Sequence, residues 1–233
     1  MTPVQAIKSF CEKTFEDEDG ETYKLELKTG LSDEEIEDYK RSFPGNFLPP
    51  EIIDFLKFTS GFYFGYYELY ITVGADSGFE GTFPSCLDIM GDEAGNSWVV
   101  DIDSNGNWSP VYFVCHDPAV IIKQASHLTE FILQFEQSAQ DRKNPSILSI
   151  DHALLNKIYN QELVKTKKEN APIEFQVNRL PSEFMIANLT NKPNNSGFPW
   201  GKSGPNPIIV RKGDEPVWAI GNKKNWLQKL FGK

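Results

Sequence analysis

Apolar positions along the chain follow two rhythms, and the switch between them marks out the elements. From Ser97 to Ile102, alternation puts Trp98, Val100 and Ile102 on one face of an extended segment and Val99 and Asp101 on the other. Val111, Phe113 and Cys115 then alternate with Tyr112, Val114 and His116, and Asn105-Gly106 between the two runs is a strong hairpin signal. The period then lengthens. Leu128, Phe131, Ile132 and Phe135 recur at helical spacing, with Ser126 placed as an N-cap. Upstream, residues 4–15 predict an opening helix, residues 16–21 an acidic turn, and Tyr23, Leu25 and Leu27 a strand. Ser32 with Glu35 three residues on forms a capping box for a short helix through Ile36 and Tyr39. Pro50 and Glu51 suit the first turn of a second helix through Ile52, Phe55 and Leu56, which Ser60-Gly61 ends. The aromatic run of Phe62, Tyr63, Phe64, Tyr66, Tyr67 and Tyr70 predicts a sheet face, residues 74–84 a loop and residues 86–90 a short strand.

Past Gln140 the pattern changes, and Asp141-Arg142-Lys143-Asn144-Pro145 reads as a boundary. Ser149 or Asp151 caps an expected helix carrying Leu154, Leu155, Ile158 and Leu163, with Lys165, Lys167 and Lys168 in its last turn, where cations suit the helix dipole. Ile173, Phe175 and Val177 alternate as a strand. Residues 188–207, rich in Asn, Pro, Gly and Ser, predict a long loop. Ile208 to Val210 and Val217 to Ile220 read as a hairpin around Lys212-Gly213-Asp214, and Trp226, Leu227, Leu230 and Phe231 as a terminal amphipathic helix.

The front of the chain thus runs through a capped acidic helix, a Leu48-Pro49-Pro50-Glu51 helix, a Gly91-Asp92-x-x-Gly95-Asn96 turn entering a strand, a Pro110-Val111-Tyr112-Phe113 strand and a closing Ser126-x-Leu128-x-Glu130-Phe131 helix. In this order, over roughly residues 28–137, the motifs resemble the SUKH superfamily, whose eukaryotic members are called cell-wall assembly or glucan synthesis regulators. The resemblance implies an α+β fold, a curved and mainly antiparallel sheet with flanking helices, here followed by a smaller α/β extension. It divides the chain into a SUKH-like domain with an N-terminal helix over 1–141 and an extension of unknown role over 142–233. The bacterial members are largely immunity proteins that bind and neutralise a cognate toxin, often a nuclease, without chemistry of their own.

Charge sharpens that expectation. Residues 1–110 hold 22 acidic against 7 basic residues and residues 111–233 hold 11 against 16, within a net charge of −10. An acidic front repels nucleic acid and attracts basic partners. The candidate partner-binding residues are Asp76, Glu80, Asp92, Glu93, Asp101 and Asp103, with Trp98, Tyr66 and Tyr67 as aromatic anchors. The expected partner is a basic toxin protein; no direct nucleic-acid contact, membrane span, metal or cofactor is expected, and the oligomeric state is open. A regulatory scaffold is the first alternative. An enzyme using His116 or His152 is the second, although His116-Asp117 on a strand would point to opposite faces. The three histidines lack metal-ligand spacing, and there is no P-loop or nucleophile elbow. Three scattered cysteines argue against a disulfide framework, and Cys115 reads as a small core residue. Without a signal-type apolar core or a spanning run of about 20 residues, the chain is expected in the cytoplasm.

Overall fold

The computed structural model describes residues 1–16, 19–65, 67–71, 81–92, 94–140, 150–171, 173–175, 180–203, 207–211 and 213–222. It has the expected α+β character, with helices against mainly antiparallel sheets. Helix α1 (Pro3–Cys11) opens in a capping box of Thr2 and Gln5 and stops short of residue 15, because β1 (Phe15–Glu16) pairs with β2 (Thr22–Tyr23). The alternation through Tyr23, Leu25 and Leu27 serves two sheets: β3 (Glu26–Leu27) leaves β2 to join β4 (Gly61–Phe64) and β5 (Tyr67–Tyr70). Between them lie α2 (Asp33–Lys40) and α3 (Pro50–Phe58). The Ser32 hydroxyl accepts the Glu35 N–H at 3.3 Å, and the Glu35 carboxylate accepts the Ser32 N–H at 2.8 Å.

The central sheet is built from β6 (Cys86–Gly91), β7 (Ser97–Ile102), β8 (Trp108–His116) and β9 (Ala119–Ala125), each antiparallel to the next. Strand β9 escapes a period-two reading because Val120, Ile121 and Ile122 are contiguous and all buried; a strand covered on both faces loses its alternation. Helix α4 (Leu128–Gln140) follows. Its cap is His127 rather than Ser126. The His127 carbonyl accepts the Phe131 N–H and its Nδ1 accepts the Glu130 N–H, both at 3.1 Å, while the Ser126 N–H is taken by the Glu130 carboxylate.

The later part departs further from expectation. Asp151 caps α5 (His152–Tyr159), accepting the Leu154 N–H at 2.7 Å. The helix ends at Tyr159, so Lys165 and Lys167 lie on β10 (Val164–Lys167) and not in a helical last turn. Residues 173–175 form a 3-10 turn with Ile173 exposed and Phe175 buried, not a strand. Strand β11 (Glu183–Asn188) is followed by a segment that carries β12 (Gly197–Pro199) inside the expected loop. Strands β13 (Pro207–Arg211) and β14 (Val217–Asn222) form the expected hairpin. The residues of the expected terminal helix and of the expected boundary at 141–145 lie outside the described residues.

Two sheets organise these strands. The central one runs β12-β9-β8-β7-β6, so the extension supplies its edge strand; the other runs β10-β11-β14-β13. Trp98, Val100, Val111, Phe113, Cys115 and Ile122 turn one face of the central sheet into the main core, against Phe10 of α1, Phe55 of α3 and Phe131 and Phe135 of α4. Val99, Tyr112, Val114 and Ile121 turn the other face onto Ala187, Phe198, Trp218 and Ile220 of the extension. The central sheet is therefore the middle layer, with helices on one side and the second sheet on the other.

Candidate functional site

The turns at the two ends of β7 use one device twice. In Asp92-x-x-Gly95-Asn96, one Asp92 oxygen accepts the N–H groups of Ala94 and Asn96 at 3.0 and 2.8 Å, and the other accepts the Asn96 side-chain amide at 2.8 Å. In Asp103-x-x-Gly106-Asn107, Asp103 accepts the N–H groups of Asn105 and Asn107 at 2.9 and 2.8 Å and the Asn107 side-chain amide at 2.9 Å. Gly95 (φ +83°) and Gly106 (φ +81°) occupy the left-handed region that each turn requires. Gly106 has a second constraint: a Cβ there would stand 2.9 Å from the Pro44 carbonyl oxygen. Burial opposes the charge of Asp103, but the donors of Asn107 and Asn105 prevail and hold its carboxyl below the ordinary value.

Among the expected contact residues, the charge of Asp92 reaches the Tyr67 phenol and that of Asp103 reaches the Asp101 carboxyl. Burial raises the Tyr67 phenol, and the Asp92 charge adds to the rise. Tyr67 also meets Phe135 edge-to-face at 5.8 Å, so its partly buried ring also serves the core. The Asp92 turn carries His116 as well: the His116 N–H donates to Asn96 Oδ1, and its ring Nδ1 lies 3.2 Å from the same oxygen. Asp103 is elsewhere, at the far end of β7, roughly 17 Å of strand away by the rise of an extended chain. Asp76, Glu80, Glu93 and Tyr66 lie outside the described residues.

Two expected contact residues are corrected by burial. Trp98 is 2% exposed and packs on Phe113, ring centroids 4.7 Å apart. Asp101 is 6% exposed, and Arg211 Nη1 donates to its Oδ2 at 2.7 Å. Both were expected at the contact for their charge or aromatic character and their nearness to the family-like strand. The helix-side core takes the face of Trp98 and the extension covers the face of Asp101, and no signal within β7 announces the second cover.

Arg211 and Asp214, which the sequence reading did not single out, join the two parts of the chain. Arg211 is held by the carbonyl oxygens of Glu215, at 2.9 Å from its Nε, and Asp214, and lies over the Trp218 ring at 5.2 Å. Asp214 accepts the Ser104 N–H and hydroxyl, each at 2.7 Å, and so grips the Asp103 turn. Desolvation raises the Asp101 carboxyl to about 6 even though Arg211 opposes it, with the charges of Asp214 and Asp103 adding to the rise. The usable signal was an arginine at the end of an apolar strand that leads into an acidic turn.

The remaining histidines have local duties or none in the hydrogen-bond pattern: His127 caps α4, and His152 is the exposed first residue of α5. Cys115 is buried and free, in agreement with a core role. Among the described residues no three His, Cys, Asp or Glu gather as a metal site would require, and no helix is long and apolar enough to cross a membrane.

No curated protein and no solved structure matches the chain. A family model does, over residues 30–134, from just before α2 to the middle of α4. That stretch contains both Asp-x-x-Gly-Asn turns and four strands of the central sheet, and it leaves out α1 and the whole extension. Residues 30–134 match the SMI1 / KNR4 family (SUKH-1), and the match supports membership of the SUKH superfamily for that part of the chain.

Proposed function

We propose that this chain is a non-enzymatic immunity protein of the cytoplasm that binds and neutralises a basic toxin, of nuclease type, through an acidic surface of its SUKH-1 domain. The family match over 30–134 carries the reading, and charge gives it direction. The front of the chain holds the acidic surplus, and α2 exposes Glu34, Glu37 and Asp38. Opposite charge on a nuclease cleft would steer association and raise the on-rate more than the affinity. Trp98 and Asp101 take no part in this surface. Asp92 and Asp103 contribute their field from within turns, while Asp76, Glu80 and Glu93 remain in the proposed contact set.

The test is a tagged pull-down from the native cell at low and moderate salt. One basic protein recovered in near-equal amount is the expected result. Asp76→Lys combined with Glu80→Lys should then slow association about tenfold at low salt, with the difference shrinking as salt rises. Unchanged kinetics would remove both residues from the interface. Several weaker host partners in place of one would favour a regulatory scaffold, as the family's other name suggests. Turnover lost on replacing His116 or His152 in a folded protein would favour an enzyme.

A further inference from the structure

The acidic front leaves one region of the molecule unused, and that region has the opposite sign. Helix α5, β11 and β12 line a groove of about 320 Å³ at the seam between the extension and the central sheet. Leu154, Leu163 and Ile186, each partly exposed, give it an apolar lining over the buried Ile158 and Phe198, Lys157 and Lys192 its charge and Asn195 a neutral donor and acceptor. No Asp or Glu is among the described residues that line it. It adjoins a hollow of about 340 Å³ that shares Leu154 and Asn195 and whose one carboxylate among the described residues, Asp151, is spent on the α5 cap. Two further lysines flank the region: Lys123 Nζ donates to the Lys192 carbonyl and Lys202 Nζ to the Gln161 carbonyl, each at 3.1 Å. On a chain of net charge −10, this is a local reversal of sign.

Among the described residues, β12 is the outermost strand of the central sheet and pairs with β9 alone. A groove edged by such a strand suits an extended backbone, with alternate side chains entering the groove and meeting its rim. We propose that this groove binds an extended segment of a partner protein in which acidic residues alternate with aliphatic ones. The aliphatic side chains fill the apolar lining; the carboxylates pair with Lys157 and Lys192. Nucleic acid fits less well. Base stacking needs a free aromatic face, yet Phe198 is 1% exposed and the Tyr159 ring is covered by Lys202 at 5.3 Å. The net charge also repels a polyanion.

The test uses the full chain and a fluorescein-labelled octapeptide of alternating Glu and Val, followed by fluorescence anisotropy. Lys157 and Lys192 are exposed, so Lys157→Glu with Lys192→Glu should keep the native circular dichroism spectrum. Saturable binding is expected, weakened about tenfold by that double reversal and weakened again by salt. A peptide with Lys in place of Glu should not bind. If the reversal fails to fold, Lys157→Gln with Lys192→Gln replaces it, with about a threefold loss expected. Absence of saturation up to about 1 mM peptide, equal binding by wild type and variant, or tighter binding of an eight-nucleotide single strand would each overturn the proposal.

Discussion

The two faces of the central sheet are both buried, but by different means. On the helix side the covering is aromatic and aliphatic: Phe62 meets Phe135 edge-to-face at 5.4 Å, and Phe131 meets Phe135 at 5.3 Å. On the extension side Trp218 stands among Phe198, Tyr112 and Phe83, at 4.9, 5.7 and 6.0 Å, and beside it lies the Asp101–Arg211 pair. Both faces are close-packed, and the extension side adds a directional, charged contact across the layers. Apolar contact supplies most of the stabilisation on both sides. A buried ion pair adds little net stability, because desolvation of both charges offsets their attraction. Its role here is to fix position: Arg211 reaches Asp101 only when the β13–β14 hairpin sits over the end of β7, where Asp214 also takes Ser104. The extension thus completes a three-layer arrangement whose middle layer is the central sheet.

The largest effect should come from removing the tryptophan that makes the extension integral. Trp218→Ala is expected to cost about 3–5 kcal/mol, the range for a buried aromatic truncated to alanine, and to match Phe135→Ala on the helix side. Chemical denaturation should show one transition in both variants. A loss under about 1 kcal/mol for Trp218→Ala, or two separate transitions, would break the equivalence and make the extension an accessory. Next in size is Arg211→Met, expected to cost about 3 kcal/mol near pH 7.5 because it strands a buried carboxylate. Adding Asp101→Leu should recover most of the loss, as a double-mutant cycle would measure. The sign with pH is fixed. Asp101 already has a folded pKa of about 6, above the unfolded value of about 3.9, and without Arg211 it rises further. A group raised in this way withdraws stability as pH climbs from the unfolded value through the folded one. The Arg211→Met deficit should therefore be largest above neutrality and shrink towards pH 4; a deficit constant with pH would mean that the pair is not what the variant breaks.

The same contrast explains what the sequence disclosed. Inside the matched stretch, local signals coincide with the fold: the Ser32 box, the Pro50 first turn, the Gly95 and Gly106 turns and the β7 and β8 alternation all depend on neighbours within a few residues. Several of the failures trace to distant partners. Asp101 looks solvent-facing until a strand 110 residues away covers it, and Trp98 looks like an anchor although its face is core. Strand β12 hid in an Asn- and Pro-rich stretch because an edge strand of three residues needs only one partner. Lys165 and Lys167 were drawn into a helix by the pattern of Leu154, Leu155 and Ile158, which stops at Tyr159. The acidic surplus was legible from composition, but its placement on particular contact residues was not, since burial decides which carboxylates reach solvent.

The smallest expected effect separates the twin turns. Asp92→Ala removes three hydrogen bonds within its own turn, and the cost should be about 1 kcal/mol. Asp103→Ala removes the equivalent three, but its turn also presents Ser104 to Asp214. Loosening it should disturb the grip of the extension, for a cost of about 2 kcal/mol. Because the Asp103 carboxyl is held below its unfolded value, its contribution is present above about pH 4 and lost as pH falls through the folded value, so the Asp103→Ala deficit should narrow near pH 3. Amide exchange gives the sharper readout. Asp103→Ala should raise exchange in β13 and β14 as well as at Asn105 and Asn107, whereas Asp92→Ala should raise it only around Ala94 and Asn96. Equal exchange in β13 and β14 in both variants would show that the extension holds its register without the Asp103 turn, leaving the Asp101–Arg211 pair to set it alone.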